Sequence, residues 1–534
     1  MKSIKNIIKT SVLAAVLATA SSCVKDLDRL PTYDVTTASV YTNAANYKQV
    51  LAKLYAVLAV SGQQGPSGKP DIQGIDEGFS NYLRQYWMIQ ELTTDEAVIA
   101  WNDGSVQDYH NMNWSSGNEY IAAMYNRIYY LISQCNEYVR QSSDASLTER
   151  GFSADNLTAI KTYRAEARFL RAMAYLHALD LFGGNVPFVT EADAPGSFLP
   201  KQTNNKDLFN YIESELKAIE PDLAAPRAAE YGRADKAAAW TLLARLYLNA
   251  QVYTGTARWT DAVTYSSKVI QSGAYTLEPS YANLFVADNN NSKEIILPVA
   301  YDGLRTQTYG GMVFLVHAAV GGNMNPDNFG INGGWGGNRT TKGLVNQFSD
   351  PSGKTDTRAM FYTNGQNLEI NTVVNTFTDG YAITKFKNLS SKGVKGSDPS
   401  GNYVDTDFPL FRLADVYLMY AEAVLRGGTG GDAATALGYI NQLRQRAYQG
   451  TTGNITASAL TLDFILSERA RELYWEGYRR TDLIRFGKFT DASYLWPFKG
   501  GVKEGRGVES FRNIFPLPAA DLVANPNLKQ NPGY

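Results

Sequence analysis

Three kinds of residue in this chain have the types and spacing to do chemistry: one cysteine near the N-terminus, pairs of carboxylates, and aromatics set among glycines. The cysteine is Cys23. It follows Lys2, Lys5 and Lys9, an apolar run around Val12 to Ala18, and the small residues Ala20-Ser21-Ser22. A charged start, a short apolar core and small residues before a cleavage point make a secretory signal peptide. A membrane span needs about 20 apolar residues, and this run is shorter. A cysteine at the cleavage point offers a thiol for diacylglycerol and, once cleaved, an amine for a further palmitate-type chain. Two or more chains make a stable anchor, because each buried CH2 contributes about 0.8 kcal/mol. The expectation is a signal peptide over 1–22, a lipid anchor on Cys23 and a tether over 23–45, opening with Lys25-Asp26-Leu27-Asp28. An ordinary secreted protein with a chance cysteine is the bland alternative.

Catalytic patterns are missing. The chain has no nucleophile elbow, Walker loop, dinucleotide fingerprint, HExxH or CxxC. Asp95-Glu96 could be imagined as an acid/base pair for glycoside hydrolysis. Neighbouring residues on a helix or strand point in different directions, however, and no partner stands at a suitable separation. The stretch from Ser467 to Leu483 is dense in charge. Its spacings of three and four (Glu468/Arg471, Glu476/Arg480) read as a helix laced by ion pairs. Only three histidines occur, His110, His177 and His317, with no zinc-ligand spacing. His177 shares an apolar stripe with Ala167, Leu170, Ala174 and Leu181, and reads as a core histidine. No catalytic, cofactor or metal site is expected.

The aromatics are another matter. There are 34 Tyr, 22 Phe and 8 Trp, and tyrosine gives a flat apolar face with a polar tip. Trp101 is followed by Asn102-Asp103-Gly104. Tyr309 precedes Gly310-Gly311. Trp335 stands between Gly333-Gly334 and Gly336-Gly337. Glycines cannot bury an indole, so these rings could be platforms for the apolar face of a pyranose, with nearby Asn, Asp and Arg bonding the hydroxyls. Loops anchored by buried tryptophans are the equal alternative from composition alone.

The elements that must position these residues read as mainly helical. Without 1–22 the chain keeps 512 residues, ample for a large core, and 47 basic against 52 acidic side chains. No basic block suits nucleic acid. With Cys23 acylated, Cys135 has no disulfide partner. Helical spacing marks 46–60, 119–140 and 159–182, the last stopped by Gly183-Gly184. Two helix pairs follow, 234–250 with 259–271 and 411–426 with 433–447, then a helix over 463–487. Paired helices with small packing residues suggest tetratricopeptide-like units. Residues 310–343 carry ten glycines and no helical period. A long irregular insertion is usually functional or disordered. The picture is one domain over 46–534: a helical scaffold (119–271, 411–487) holding a loop-rich surface (62–115, 275–410).

Several segments together resemble the SusD/RagB family of surface glycan-binding lipoproteins, over nearly the whole length. They are the start at Cys23, Arg164 to Tyr175, Leu181 to Pro187, Gly232 to Trp240, Ala244 to Ala250, Phe411 to Leu418, Ser467 to Arg485 and Phe515-Pro-Leu-Pro. The resemblance implies a SusD-like tetratricopeptide scaffold, no enzymatic activity, an outer-membrane, cell-surface location and a TonB-dependent transporter as partner. Asp76-Glu77-Gly78, Glu91 to Glu96, Glu294-Ile-Ile-Leu-Pro and Tyr309-Gly-Gly are most similar to the family's starch-binding founder. That likeness implies α-glucan stacking on Trp101, Tyr309 and Trp335, with polar contacts from Asp76 and Arg84. The founder's asparagine meets Gly104 here, which leaves Asn102 or Asp103 to replace it. Its acidic loop is shortened here to Asp288-Asn-Asn-Asn-Ser-Lys, which puts any calcium site there in doubt. The alternatives are another glycan on the same scaffold, a mainly structural lid gating the transporter, and a glycosidase.

Overall fold

The computed structural model describes residues 37–66, 68–193, 196 and 198–534. The expected signal peptide, Cys23 and most of the tether lie outside them. The chain divides into two compact units, one ending at Gln49 and one running from Val50 to Tyr534. The first contains a short helix, Thr37–Val40, and an edge-to-face pair of Tyr41 and Tyr47 with centroids 5.0 Å apart. Helix α1, Ala44–Ala59, runs across the boundary. Its expected face, Tyr47, Leu51, Leu54 and Leu58, is buried.

The larger unit is built from helices that stack in sequence. They are α2 (Tyr82–Glu91), α3 (Glu119–Gln141), α4 (Ala154–Phe182), α5 (Asn205–Ile219), α6 (Lys236–Leu248) and α7 (Trp259–Gln271). After the insertion come α8 (Gly311–Ala318), α9 (Leu413–Leu425), α10 (Ala433–Tyr448), α11 (Leu462–Leu473) and α12 (Arg479–Arg485). Asn118 caps α3 by accepting from the N–H groups of Tyr120 and Ile121, and Ser153 caps α4. Such caps satisfy donors that the first turn leaves unpaired. α4 ends where Gly183 takes φ +71°, its N–H returning to the Leu179 carbonyl. Alanines 165, 167, 172, 174 and 178 are all buried, so α4 lets its neighbours approach closely from both sides.

α3 packs on α4, α4 on α5, α6 on α7, α7 on α9, and α9 on α10 and α11. The two expected helix pairs are therefore neighbours in space, and residues 272–412 leave the stack between them. Strands β2 (Ile295–Val299) and β6 (Phe408–Arg412) close the base of that insertion as an antiparallel pair, with Ile295 opposite Arg412 and Val299 opposite Phe408. Two shorter pairs lie further out: β1 (Val98–Ile99) with β3 (Asn338–Arg339), and β4 (Phe361–Tyr362) with β5 (Ala382–Ile383). No helix among the described residues is long and apolar enough to cross a membrane.

The structure corrects three sequence expectations. First, 463–487 is not one helix. It breaks between α11 and α12, where Trp475 and Gly477 take φ +64° and +80°. Glu468 does pair with Arg471 at 2.6 Å. Glu476 instead meets Arg412 and Lys385, at 2.6 and 2.7 Å, while Arg480 turns to the Asn513 carbonyl. The charges join a buried network. Arg412 also reaches Glu294 and Glu472, and Arg358 reaches Asp356, Glu468 and Glu472. The surrounding guanidinium groups outweigh burial and hold the Glu472 carboxyl well below the usual range. Second, the glycine-rich segment contains α8. Its Met-Val-Phe-Leu-Val-His-Ala core is buried all round, and a helix with no polar face shows no period. Third, α2 lies within the stretch read as loop, and all ten of its residues are buried, the polar Arg84, Gln85, Gln90 and Glu91 included.

Candidate functional site: a row of aromatic rings

The β1–β3 pairing brings two of the expected aromatics together. Val98 and Ile99 stand opposite Arg339 and Asn338, and the Ala100 N–H extends the ladder to the Gly337 carbonyl at 2.8 Å. Trp101 and Trp335 leave the ladder on the same side. Their ring centroids are 6.4 Å apart at 39°, and Trp101 Nε1 donates to the Trp335 carbonyl at 3.2 Å. Anything larger than glycine at 337 would push the Trp101 ring aside, because a Cβ there would lie 2.7 Å from Trp101 Cε2.

Tyr309 comes from the turn into α8 and is 38% exposed. Its ring meets Trp335 edge-on, with centroids 6.2 Å apart. A Cβ at Gly310 would strike Asn81 at 2.1 Å. Asn81 in turn caps α2, accepting from Arg84 N at 3.0 Å, and donates to the Ala59 carbonyl. One asparagine therefore sets the end of α1 and the start of α2 against the turn that carries Tyr309.

Arg84, on α2, is only 8% exposed. Its guanidinium lies 4.3 Å from the Phe314 ring centroid and 5.7 Å from that of Trp101. It donates to the carbonyls of Gly78 and Tyr309, at 3.1 and 3.4 Å, while Nε has no partner. Burial pulls this group down to about 10, so it stays charged at neutral pH. It supports the rings from behind. Asp76 is exposed and accepts from Phe79 N at 3.2 Å. The intervening Gly78 sits between Asp76 Oδ1 and Tyr309 Cβ. Asn102 and Asp103 are exposed beside Trp101, and the Asp103 carbonyl accepts from Tyr120 Oη at 3.3 Å. A side chain at 104 is disfavoured by the backbone, which takes φ +48° there, and it would displace the Glu119 carboxylate.

Two contributors were missed from sequence. His317, on α8, stacks under Trp335 at 4.8 Å and 25°. Its Nδ1 is 2.7 Å from the Gly333 carbonyl, and its own carbonyl accepts from Trp335 N at 2.8 Å. Burial lowers its pKa, which keeps the ring neutral. Tyr403 extends the row beyond Tyr309, nearly parallel to it at 6.3 Å and 24°. Asp398 holds the Tyr403 and Asn402 N–H groups at 2.9 and 3.0 Å. An aromatic beside Gly401-Asn402 is the same signal that marked the other three. By contrast, Trp87, Trp114, Trp475 and Trp496 are fully buried.

The other candidates are structural. Asp95 is buried and paired with Arg479 at 2.7 Å. The carboxyls of Glu96 and Glu91 are hydrogen-bonded to each other and raised by burial. His177 bonds Tyr82 Oη at 2.7 Å inside the core. Asp288, in the shortened acidic loop, accepts from the N–H and hydroxyl of Ser391. Among the described residues no cluster of three or more His, Cys, Asp or Glu could hold a metal ion.

What this arrangement can do is present a half-exposed apolar strip of rings at changing tilt, flanked by exposed polar side chains. Comparison with known proteins bears on the whole chain. A family model described as "SusD family" matches residues 349–534. The chain is 38% identical to the starch-binding protein SusD of Bacteroides thetaiotaomicron, covering 100% of this chain and 99% of that one. It is 24% identical to a SusD-like protein of Bacteroides ovatus, covering 95% and 94%. Among solved structures, a SusD superfamily protein of B. thetaiotaomicron superposes with TM-score 0.69 at 20% identity, over 92% of this chain and 100% of that one. Surface glycan-binding protein A of the same organism, in complex with laminarihexaose, gives 0.69 at 21%, over 91% and 99%. These last two likenesses concern the fold, which is the SusD fold. On its full-length likeness to SusD, the chain belongs to the SusD family.

Proposed function

We propose that this protein captures α-glucans, starch and its maltooligosaccharides, at the cell surface and delivers them to a TonB-dependent outer-membrane transporter. It is held at the outer membrane by a lipid on Cys23 and performs no catalysis. The observation that carries the reading is the tilted row Trp101–Trp335–Tyr309. Its rings change direction along the row, which suits a chain that curves. Pyranose faces stack on the rings while Asp76 and Asn102 accept from or donate to hydroxyls. Tyr403 lengthens the strip, and Arg84 and His317 hold it. The likeness to a starch-binding relative supports α-glucan over other glycans. A half-exposed strip binds each chain weakly, and a polymer that engages several copies gains avidity.

The test is retention in an amylopectin-containing native gel. Trp101→Ala with Trp335→Ala removes retention while the far-UV spectrum stays unchanged. Unchanged retention sinks the proposal. Titration with maltoheptaose, a cyclic α-glucan, cellohexaose and laminarihexaose separates the α-glucan reading from another glycan. Heat from the last two alone would move the ligand class.

A further inference from the structure

A cavity of about 560 Å³ opens behind the turn that carries Tyr309, between the second half of α1, the end of β2 and two loops, 62–65 and 304–307. Its size is that of an ordinary small-ligand site. Ala56, Val57 and Val299 line it with apolar surface, and Gln63, Gln64 and Gln307 bring three carboxamides. All three glutamines are exposed, and no protein group bonds their side chains among the interactions described. A carboxamide carries donors and an acceptor on one group, the complement of a hydroxyl that does both. The charges nearby cancel: Lys53 pairs with Asp71 at 3.3 Å, and Arg305 pairs with Asp302. Asp71 Oδ2 is buried and has no partner. The lining therefore suits a neutral, polyhydroxylated ligand rather than an anion or a lipid.

Two of the loops that line the cavity run on into the aromatic row. Gln307 is two residues from Tyr309. Loop 61–78 is pinned by Ser61 Oγ donating to the Glu77 carbonyl at 2.6 Å and by Asp71 N donating to the Ser61 carbonyl at 2.9 Å. Asp76 sits at the end of that loop. The loops themselves abut, since a Cβ at Gly65 would lie 2.3 Å from the Gln307 carbonyl.

We propose that this cavity is a second carbohydrate site, which takes a short neutral saccharide beside the aromatic row. The proposal rests on the reading of the chain as a glycan binder. Its test uses the full mature protein, with maltose as probe and saturation-transfer NMR as readout. In the Trp101→Ala/Trp335→Ala background, transfer to maltose persists. Adding Gln64→Ala with Gln307→Ala weakens that residual binding about tenfold, as expected for two lost hydrogen bonds. Ala56→Leu, which fills the cavity from the helix side, does the same without touching a polar group. Absence of any transfer in the aromatic-deficient background overturns the proposal, and so does residual transfer that both cavity variants leave unchanged. The aromatic reading is judged separately, by polymer retention in the gel, and its failure would leave the maltose result interpretable.

Discussion

Replacing Gly337 by alanine adds one methyl group at the closest approach of the two tryptophans. Gly337 does not have positive φ, so the backbone accepts alanine, and both its ladder bonds, to Ala100 and Ala318, are retained. The new carbon would lie 2.7, 2.8 and 3.1 Å from Trp101 Cε2, Cζ2 and Nε1. Carbon atoms rest at about 3.5–4.0 Å, so the indole must retreat by about 1 Å. Phe314 and Arg84 block the inner side, and the ring swings outward. That breaks the Nε1 bond to the Trp335 carbonyl, worth about 1 kcal/mol, and local crowding adds about 1–3 kcal/mol. The molecule stays folded, because the group that must yield is the half-buried Trp101 ring and the ladder bonds of residue 337 stay in place. Loss of one well-placed ring should cost at least about 1.4 kcal/mol of binding, or tenfold. Titration with maltoheptaose and gel retention measure it. Gly333→Ala is the matched control: same loop, with nothing within 4 Å of the added carbon. Wild-type affinity in Gly337→Ala, with circular dichroism unchanged, would refute the claim that Trp101 must lie against Trp335 to act.

Three further outcomes follow from the same geometry. His317→Ala removes the ring beneath Trp335 and should weaken maltoheptaose several-fold, by a factor constant from pH 7 to 9, where an imidazole that burial lowers is neutral; a factor that changes across that range would show that its charge matters. Arg412→Met removes the cation shared by Glu294, Glu472 and Glu476 and leaves three buried carboxylates to Arg446, Arg358 and Lys385; removing one partner of a buried ionic network costs about 3–5 kcal/mol, read as a large loss in denaturant midpoint. Burial raises both the Glu91 and Glu96 carboxyls; the Glu91 and Asp95 charges push Glu96 further up against Arg479, while the bonds from Glu96 and the Gly477 N–H, with Lys385, offset part of the rise at Glu91. The folded state then binds more protons than the unfolded chain, so this contribution to stability is full below about pH 4.5 and declines as pH rises towards and past neutrality. Glu91→Gln should flatten that decline in thermal unfolding between pH 5 and 8; an identical slope would contradict it.

Local pattern was enough for much of the scaffold. α1, α3, α7 and α10 each bury one stripe against a neighbour, and a stripe leaves a period that can be read; α4, α6 and α9 are buried over most of their surface, yet their apolar residues still recur at helical spacing. His177 was legible as a core residue for the same reason. α8 was not, since it is apolar and buried all round and has no polar face to mark it; nor was α2, whose Arg84, Gln85, Gln90 and Glu91 are buried along with its apolar residues, so that polarity does not mark an exposed side. The break at Trp475-Glu476-Gly477 was equally hidden. Helical spacing pairs Glu476 with Arg480, but Arg412 and Lys385, more than sixty residues away in sequence, compete for the same carboxylate and win in the dry interior.

The same division holds at the site. Residue type and glycine context alone singled out Trp101, Tyr309 and Trp335 and placed polar side chains near them. Whether the rings were exposed platforms or buried anchors depended on chain distances of more than two hundred residues. The β1–β3 register sets Trp101 against Trp335, and Asn81 locks the turn of Tyr309 to the ends of two helices. Tyr403 joins the row, and Arg84 proves to be a buried support more than an open contact. Amino-acid type settles what a side chain can do, while only the packing of distant segments decides which face of it meets solvent.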